Sequence, residues 1–177
     1  MQELLDQLAV DFPNITFIQG ETFYWSPGKQ SVTYAAGSTQ PVISRWSLLH
    51  EVAHGALEHN NYYSDFELVQ LEVAAWQYAK KIARKYGISI DPEHIQDCLD
   101  TYRDWLHMRA TCPTCGTVSA QKDPSTYACF NCQTEWHVSN HLQRHDSIQR
   151  FQNLILPPRL AATFFDLGKR NVPPFAD

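Results

Sequence analysis

Four of the five cysteines stand in two C-x-x-C pairs, Cys112-Pro113-Thr114-Cys115 and Cys129-Phe130-Asn131-Cys132, with 13 residues between them. Each pair sets two thiolates on one tight turn, and Gly116 directly after the first suits the sharp backbone there. Four convergent thiolates close a tetrahedral shell with no open position, which is the chemistry of a structural zinc ion. A stretch of about 30 residues cannot fold around a core of its own, so the metal must supply much of its stability. Residues 108–138 are therefore read as a zinc ribbon with four cysteine ligands. Disulfides or a redox C-x-x-C are the alternatives, and no export signal or thioredoxin-like pattern accompanies the cysteines. Cys98 stands apart, in a helical apolar stripe, and reads as a buried thiol.

The chain of 177 residues has room for one ordinary domain besides the ribbon. Residues 1–107 carry 7 Lys/Arg against 14 Asp/Glu, residues 108–138 carry 2 against 2, and residues 139–177 carry 5 against 3. An acidic main domain argues against a broad nucleic-acid footprint. Within the ribbon Arg109 and Lys122 are the basic residues, so substrate recruitment or bracing of the neighbouring domain fits it better than nucleic acid. No apolar run approaches the roughly 20 residues that span a bilayer. The start, Met1-Gln2-Glu3-Leu4-Leu5-Asp6, is acidic rather than basic-then-apolar, so a cytoplasmic location is the expectation.

Residues 1–9 read as a helix with Leu4, Leu5 and Leu8 on one side. Strand-like runs follow at 15–18, 22–25 and 31–35, the last two flanking Ser26-Pro27-Gly28-Lys29 as a β-hairpin. Ser44 is the expected N-cap of the next helix, in which Trp46, Leu49, Ala53 and Leu57 face the core and Gly55 is tolerated. A longer helix covers about residues 65–86, with a stripe of Phe66, Val69, Val73, Trp76, Ala79 or Lys80, and Ala83 that follows a 3–4 spacing with one lapse, and Gly87 caps it. Asp91-Pro92 opens a further helix that runs to about residue 107. Ser139 to Gln149 could form one more, and residues 139–177 read as a helical or irregular tail. The fold class is thus α+β.

The helix from Ser44 contains His50-Glu51-Val52-Ala53-His54. On a helix, residues four apart lie one turn apart on the same face, so both imidazoles reach one ion. Glu51 beside them can take a proton from a metal-activated water. A catalytic zinc takes three protein ligands and keeps one position open. The spacing H-E-x-x-H-x-x-G-x-x-H fails here, because Leu57 and Asn60 occupy the glycine and histidine positions and His59 misses by one. Glu72, 18 residues after His54, is the better third ligand, since the chain can leave the first helix, turn and return. A carboxylate bordering a buried stripe is costly without a partner. Glu67 and Glu58 remain weaker alternatives.

His50-Glu51-Val52-Ala53-His54 followed by Glu72-Val73-Ala74-Ala75-Trp76 resembles the gluzincin peptidases, and most of all the compact ImmA/IrrE-type metallopeptidases. The resemblance covers residues 1–107 and implies a zincin-like domain: an N-terminal helix, a small antiparallel-rich sheet whose edge receives substrate, the H-E-x-x-H helix and the Glu helix. Trp76 departs from it, standing where that family often has an acidic residue. SprT-like proteases also join this motif to a ribbon but take a third histidine downstream, for which only His94 and His107 offer themselves.

The expected function is zinc-dependent hydrolysis of peptide bonds. His50, His54 and Glu72 hold the catalytic zinc, Glu51 serves as general base, and Cys112, Cys115, Cys129 and Cys132 hold the structural zinc. Tyr62, Tyr63, Tyr78 and His59 are all near in sequence as oxyanion donors, and none is singled out. The resemblance implies regulated cleavage of a partner protein, often a transcriptional repressor. The competing expectation is a catalytically inactive zincin-fold interaction protein that binds a protein or nucleic-acid partner through its ribbon.

Overall fold

Leu4, Leu5 and Leu8 are buried along one side of helix α1, Gln2–Asp11, as their spacing predicts. The structure is a computed structural model that describes residues 1–37 and 39–139. The expected helix after Ser139 and the rest of the tail lie outside the described residues.

Three strands come next, β1 (Thr16–Gly20), β2 (Tyr24–Ser26) and β3 (Ser31–Ala35). The hairpin is present: β2 pairs antiparallel with β3, Trp25 opposite Val32, around a 3-10 turn at Pro27–Lys29. The antiparallel-rich sheet is corrected. The strand order is β1-β3-β2, and β1 runs parallel to β3 over the longer register, Thr16↔Ser31 to Gly20↔Ala35. Burial explains the order. Ser31, Val32 and Thr33 are all buried, so β3 takes the centre, while the mostly exposed β1 takes an edge.

Helix α2 spans Pro41–Ala56. Its N-cap is Gln40 and not Ser44, because Pro41 presets the helical φ at the first position. Ser44 lies within the first turn and donates from its hydroxyl to the Gln40 carbonyl at 3.0 Å. Leu48, Leu49, Val52 and Ala53 face the core. Trp46 is only half-buried against it, and Leu57, past the helix end, is 36% exposed. Gly55 is more than tolerated: a side-chain carbon there would lie 2.6 Å from Ile15 Cδ1 and 3.0 Å from the Trp25 ring. Glycine lets α2 press against the sheet.

Helix α3 spans Asp65–Lys85 and helix α4 spans Pro92–Ala110, with Gly87 in the left-handed region (φ 66°) after α3. The buried face of α3 is Asp65, Leu68, Glu72, Ala75, Trp76, Ala79, Ile82 and Ala83. The expected stripe is off by one residue over its first half, and Phe66 is 62% exposed. Two carboxylates occupy the missing positions. Asp91 caps α4, accepting from Glu93 N at 2.9 Å. The helix continues past 107, and Arg109 in its last turn reaches back to Asp65.

The cysteine segment adds β4 (Gln121–Asp123), β5 (Thr126–Ala128) and β6 (Glu135–His137), antiparallel in that order. Arg109 Nε donates to Asp65 Oδ2 at 2.6 Å and the Tyr127 hydroxyl donates to the same oxygen at 2.7 Å. Asp65 N donates to Gln121 Oε1 at 2.8 Å, and Trp136 Nε1 donates to the Arg109 carbonyl at 2.9 Å. The strands are thereby bound to the N-terminus of α3 and the C-terminus of α4. Among the described residues no helix is long and apolar enough to cross a membrane.

Candidate metal centres

Cys112, Cys115, Cys129 and Cys132 bring their sulfurs within 4.8 Å of one another, a group that could hold a metal ion. Cys112 and Cys132 are 3.6 Å apart and Cys115 and Cys129 3.5 Å. The two turns have the same construction. Gly116 N donates to the Cys112 carbonyl at 2.9 Å and Gln133 N to the Cys129 carbonyl at 3.0 Å. Cys112 N donates to the Thr117 carbonyl and Cys129 N to that of Thr134. The residue after each second cysteine is left-handed, Gly116 at φ 73° and Gln133 at φ 66°. Hydrogen bonds from Thr117, and secondarily from Asn131, lower the Cys115 thiol to about 5. A lowered thiol favours the thiolate form that ligates a metal. His137 is exposed, with Nδ1 facing the Thr126 hydroxyl at 3.2 Å, and does not join the cluster.

The second group is His50 and His54 from α2 with Glu72 from α3, again within 4.8 Å. His50 Nε2 lies 3.1 Å from Glu72 Oε2, and His54 Nε2 lies 3.1 Å from His50 Nε2 and 3.5 Å from Glu72 Oε1. Three potential ligand atoms therefore point at one small volume. Glu72 is 0% exposed, His54 1% and His50 2%, so this is a carboxylate held inside the protein among imidazoles. Burial alone would raise the Glu72 carboxyl, but the charge of His54 and the polar contacts of both histidines hold it well below the usual range. Glu72 Oε1 and His50 Nδ1 are buried and lack a hydrogen-bond partner among the described residues. A cation at the convergence would supply the charge and the bond that Glu72 wants, and the donor set of two imidazoles and a carboxylate suits zinc.

The alternatives to Glu72 have other roles. Glu67 belongs to a helix cap: Ser64 Oγ accepts from Glu67 N at 3.1 Å, and Glu67 Oε2 accepts from Tyr63 N at 2.7 Å. Glu58 is exposed with a left-handed φ of 55° at the end of α2. His107 is exposed, and His94 packs between Trp46 and Trp76, where burial lowers its pKa. Neither histidine joins the group.

Glu51, 3% exposed, accepts from the backbone amide of Trp25 at 2.8 Å. The edge strand β2 therefore meets the carboxylate beside the two histidines. His59 Nδ1 lies 2.9 Å from His54 Nδ1. Tyr102 is 1% exposed; burial and the neighbouring Glu72 and Glu51 carboxylates push its hydroxyl well up. Tyr62 is buried, Tyr63 exposed and Tyr78 half-buried. Sequence reasoning did not single out Tyr102 as a site residue, although a tyrosine on the buried face of α4 with Ile95 and Leu99 brings a polar atom into a core. Trp25 acts through its backbone amide, which carries no sequence signal. A scan against models of protein families gave no match, and neither did comparison with curated proteins or with solved structures.

Proposed function

We propose that the chain is a zinc metallopeptidase in which His50, His54 and Glu72 hold the metal and Glu51 is the general base. The observation that carries this reading is the convergence of His50 Nε2, His54 Nε2 and the Glu72 carboxylate, with Glu51 next to His50 on the same helix. The α+β arrangement of sheet, motif helix and glutamate helix is read as zincin-like, and the resemblance to ImmA/IrrE-type enzymes supports a protein substrate, a repressor in particular. The cysteine cluster is read as a second, structural zinc site.

When bound, zinc polarises the scissile carbonyl and makes water a nucleophile near neutral pH. Glu51 accepts the proton of the attacking water and passes it to the departing amine. The Trp25 amide holds one oxygen of that carboxylate in place. Glu72, fixed between the histidines, keeps the ligand geometry through the step.

One observation favours a second reading. His50, Glu51, His54 and Glu72 are all at most 3% exposed, which suits a non-catalytic interaction protein that keeps the fold and binds its partner through the ribbon. Metal analysis together with one variant separates the two. The peptidase reading expects two zinc ions per chain, cleavage of a proteome-derived peptide library, and Glu51→Gln retaining both ions while losing about 10²-fold or more of the rate. A single zinc bound by the cysteines, without cleavage, would establish the interaction protein instead.

A further inference from the structure

His59 follows the motif helix by a few residues and is held from several directions. Its backbone N–H donates to the His54 carbonyl at 3.0 Å. Its own carbonyl accepts the indole N–H of Trp25 at 2.8 Å, and Trp25 is 2% exposed. Its ring meets that of His54 edge-on, centroids 5.0 Å apart and planes at 75°, with the two Nδ1 atoms at 2.9 Å. Both backbone polar groups of His59 and one ring nitrogen are thus engaged by residues of α2 and β2.

The direction of that last contact matters. His54 turns Nε2 toward His50 and Glu72 and Nδ1 toward His59. An imidazole that offers its Nε2 lone pair to a metal carries its proton on Nδ1. That N–H then donates to Nδ1 of His59, which must itself be an acceptor with its proton on Nε2. His50 has no such support: its Nδ1 is buried without a partner among the described residues.

We propose that His59 is a positioning residue for His54, fixing the tautomer and ring plane that aim Nε2 into the metal site, and that the Trp25 indole holds His59 in register. The inference rests on the reading of His50, His54 and Glu72 as a zinc site. Removing an outer partner of a metal-bound histidine typically weakens the metal by about 10- to 100-fold.

The test is a titration of the full chain with cobalt already bound at the four-cysteine cluster, further cobalt being added to fill the second site. The thiolate-to-cobalt charge-transfer band of the four-cysteine cluster reports that each variant is folded. His59→Leu should lower affinity at the histidine–glutamate site by about 10- to 100-fold with ribbon affinity unchanged. His59→Gln, which keeps an acceptor, should recover most of the loss, and Trp25→Phe, which removes the indole N–H together with part of the buried ring, should show a smaller loss than His59→Leu at the histidine–glutamate site. If His59→Leu binds the second ion as tightly as the parent, or if Leu and Gln lose affinity equally, the positioning role is wrong while the zinc site stands. If the parent binds the ribbon ion alone, the zinc-site reading fails and takes this inference with it.

Discussion

The imidazole of His50 lies stacked on the indole of Trp76, with ring centroids 4.1 Å apart and planes 23° from parallel. This contact stands where a carboxylate partner for His50 would be expected, and no described group bonds His50 Nδ1. On its Nδ1 side the ring is oriented by its face rather than by a hydrogen bond. A transition-metal ion on His50 would sit within quenching range of this indole, the tryptophan ring stacked on the ligand itself. Cobalt binding at the histidine–glutamate group should therefore quench tryptophan emission, and Trp76→Phe should remove the largest share of that quench. An unchanged quench in the variant would place the ion elsewhere.

Gly55 predicts a packing defect. An added methyl meets the tip of Ile15, which can turn aside, and the ring of Trp25, which is buried and cannot. Gly55→Ala should cost about 1–3 kcal/mol, the usual range for overpacking. The check is the urea midpoint at constant m-value, and an unshifted midpoint would show that α2 moves off the sheet without strain.

Asp65 is 0% exposed and accepts from Arg109 and Tyr127, one on α4 and one on β5. Asp65→Ala leaves the half-buried Arg109 guanidinium and the Tyr127 hydroxyl without their carboxylate, a change that costs up to about 3 kcal/mol. Arg109→Met combined with Asp65→Ala should lose less than the sum of the two single changes, because the two groups share one interaction. Equilibrium denaturation of the four proteins gives the coupling directly. Additive losses would mean that the ion pair contributes nothing.

The paired cysteine turns predict opposite effects at equivalent positions. Gln133 adopts a φ of 66° that costs a residue with a Cβ about 1–2 kcal/mol. Gln133→Gly should make the ribbon hold its metal against more chelator, and Gly116→Ala should make it release the metal sooner. Chelator titration followed by metal release measures both, and matching shifts of the same sign would show that the turns are not equivalent.

The motif helix, the hairpin and the pairing of the four cysteines were legible because each rests on local spacing or turn chemistry. The convergence of Glu72 with the two histidines was legible from the cost of a carboxylate beside a buried stripe. The buried stripe of α3 was not. An apolar count selected Phe66 and Val69, whereas the inward positions are Asp65, Leu68 and Glu72. Both carboxylates are buried because distant residues partner them, and hydropathy assigns such positions to solvent. Ser44 looked like a cap by type, but Pro41 sets the start earlier. The parallel pairing of β1 with β3 depends on which strand the core buries most, a tertiary choice that strand propensity does not contain.

Asp65 and Glu72 share one face of α3, seven residues and close to two turns apart, which is about 10 Å of rise. One carboxylate ties down the ribbon and the other meets the two histidines. The helix therefore acts as a ruler between the two centres. Lengthening the connections before or after α3 leaves that spacing intact. Inserting a single residue between Asp65 and Glu72 rotates one carboxylate by about 100° relative to the other, so that one of the two attachments must be given up.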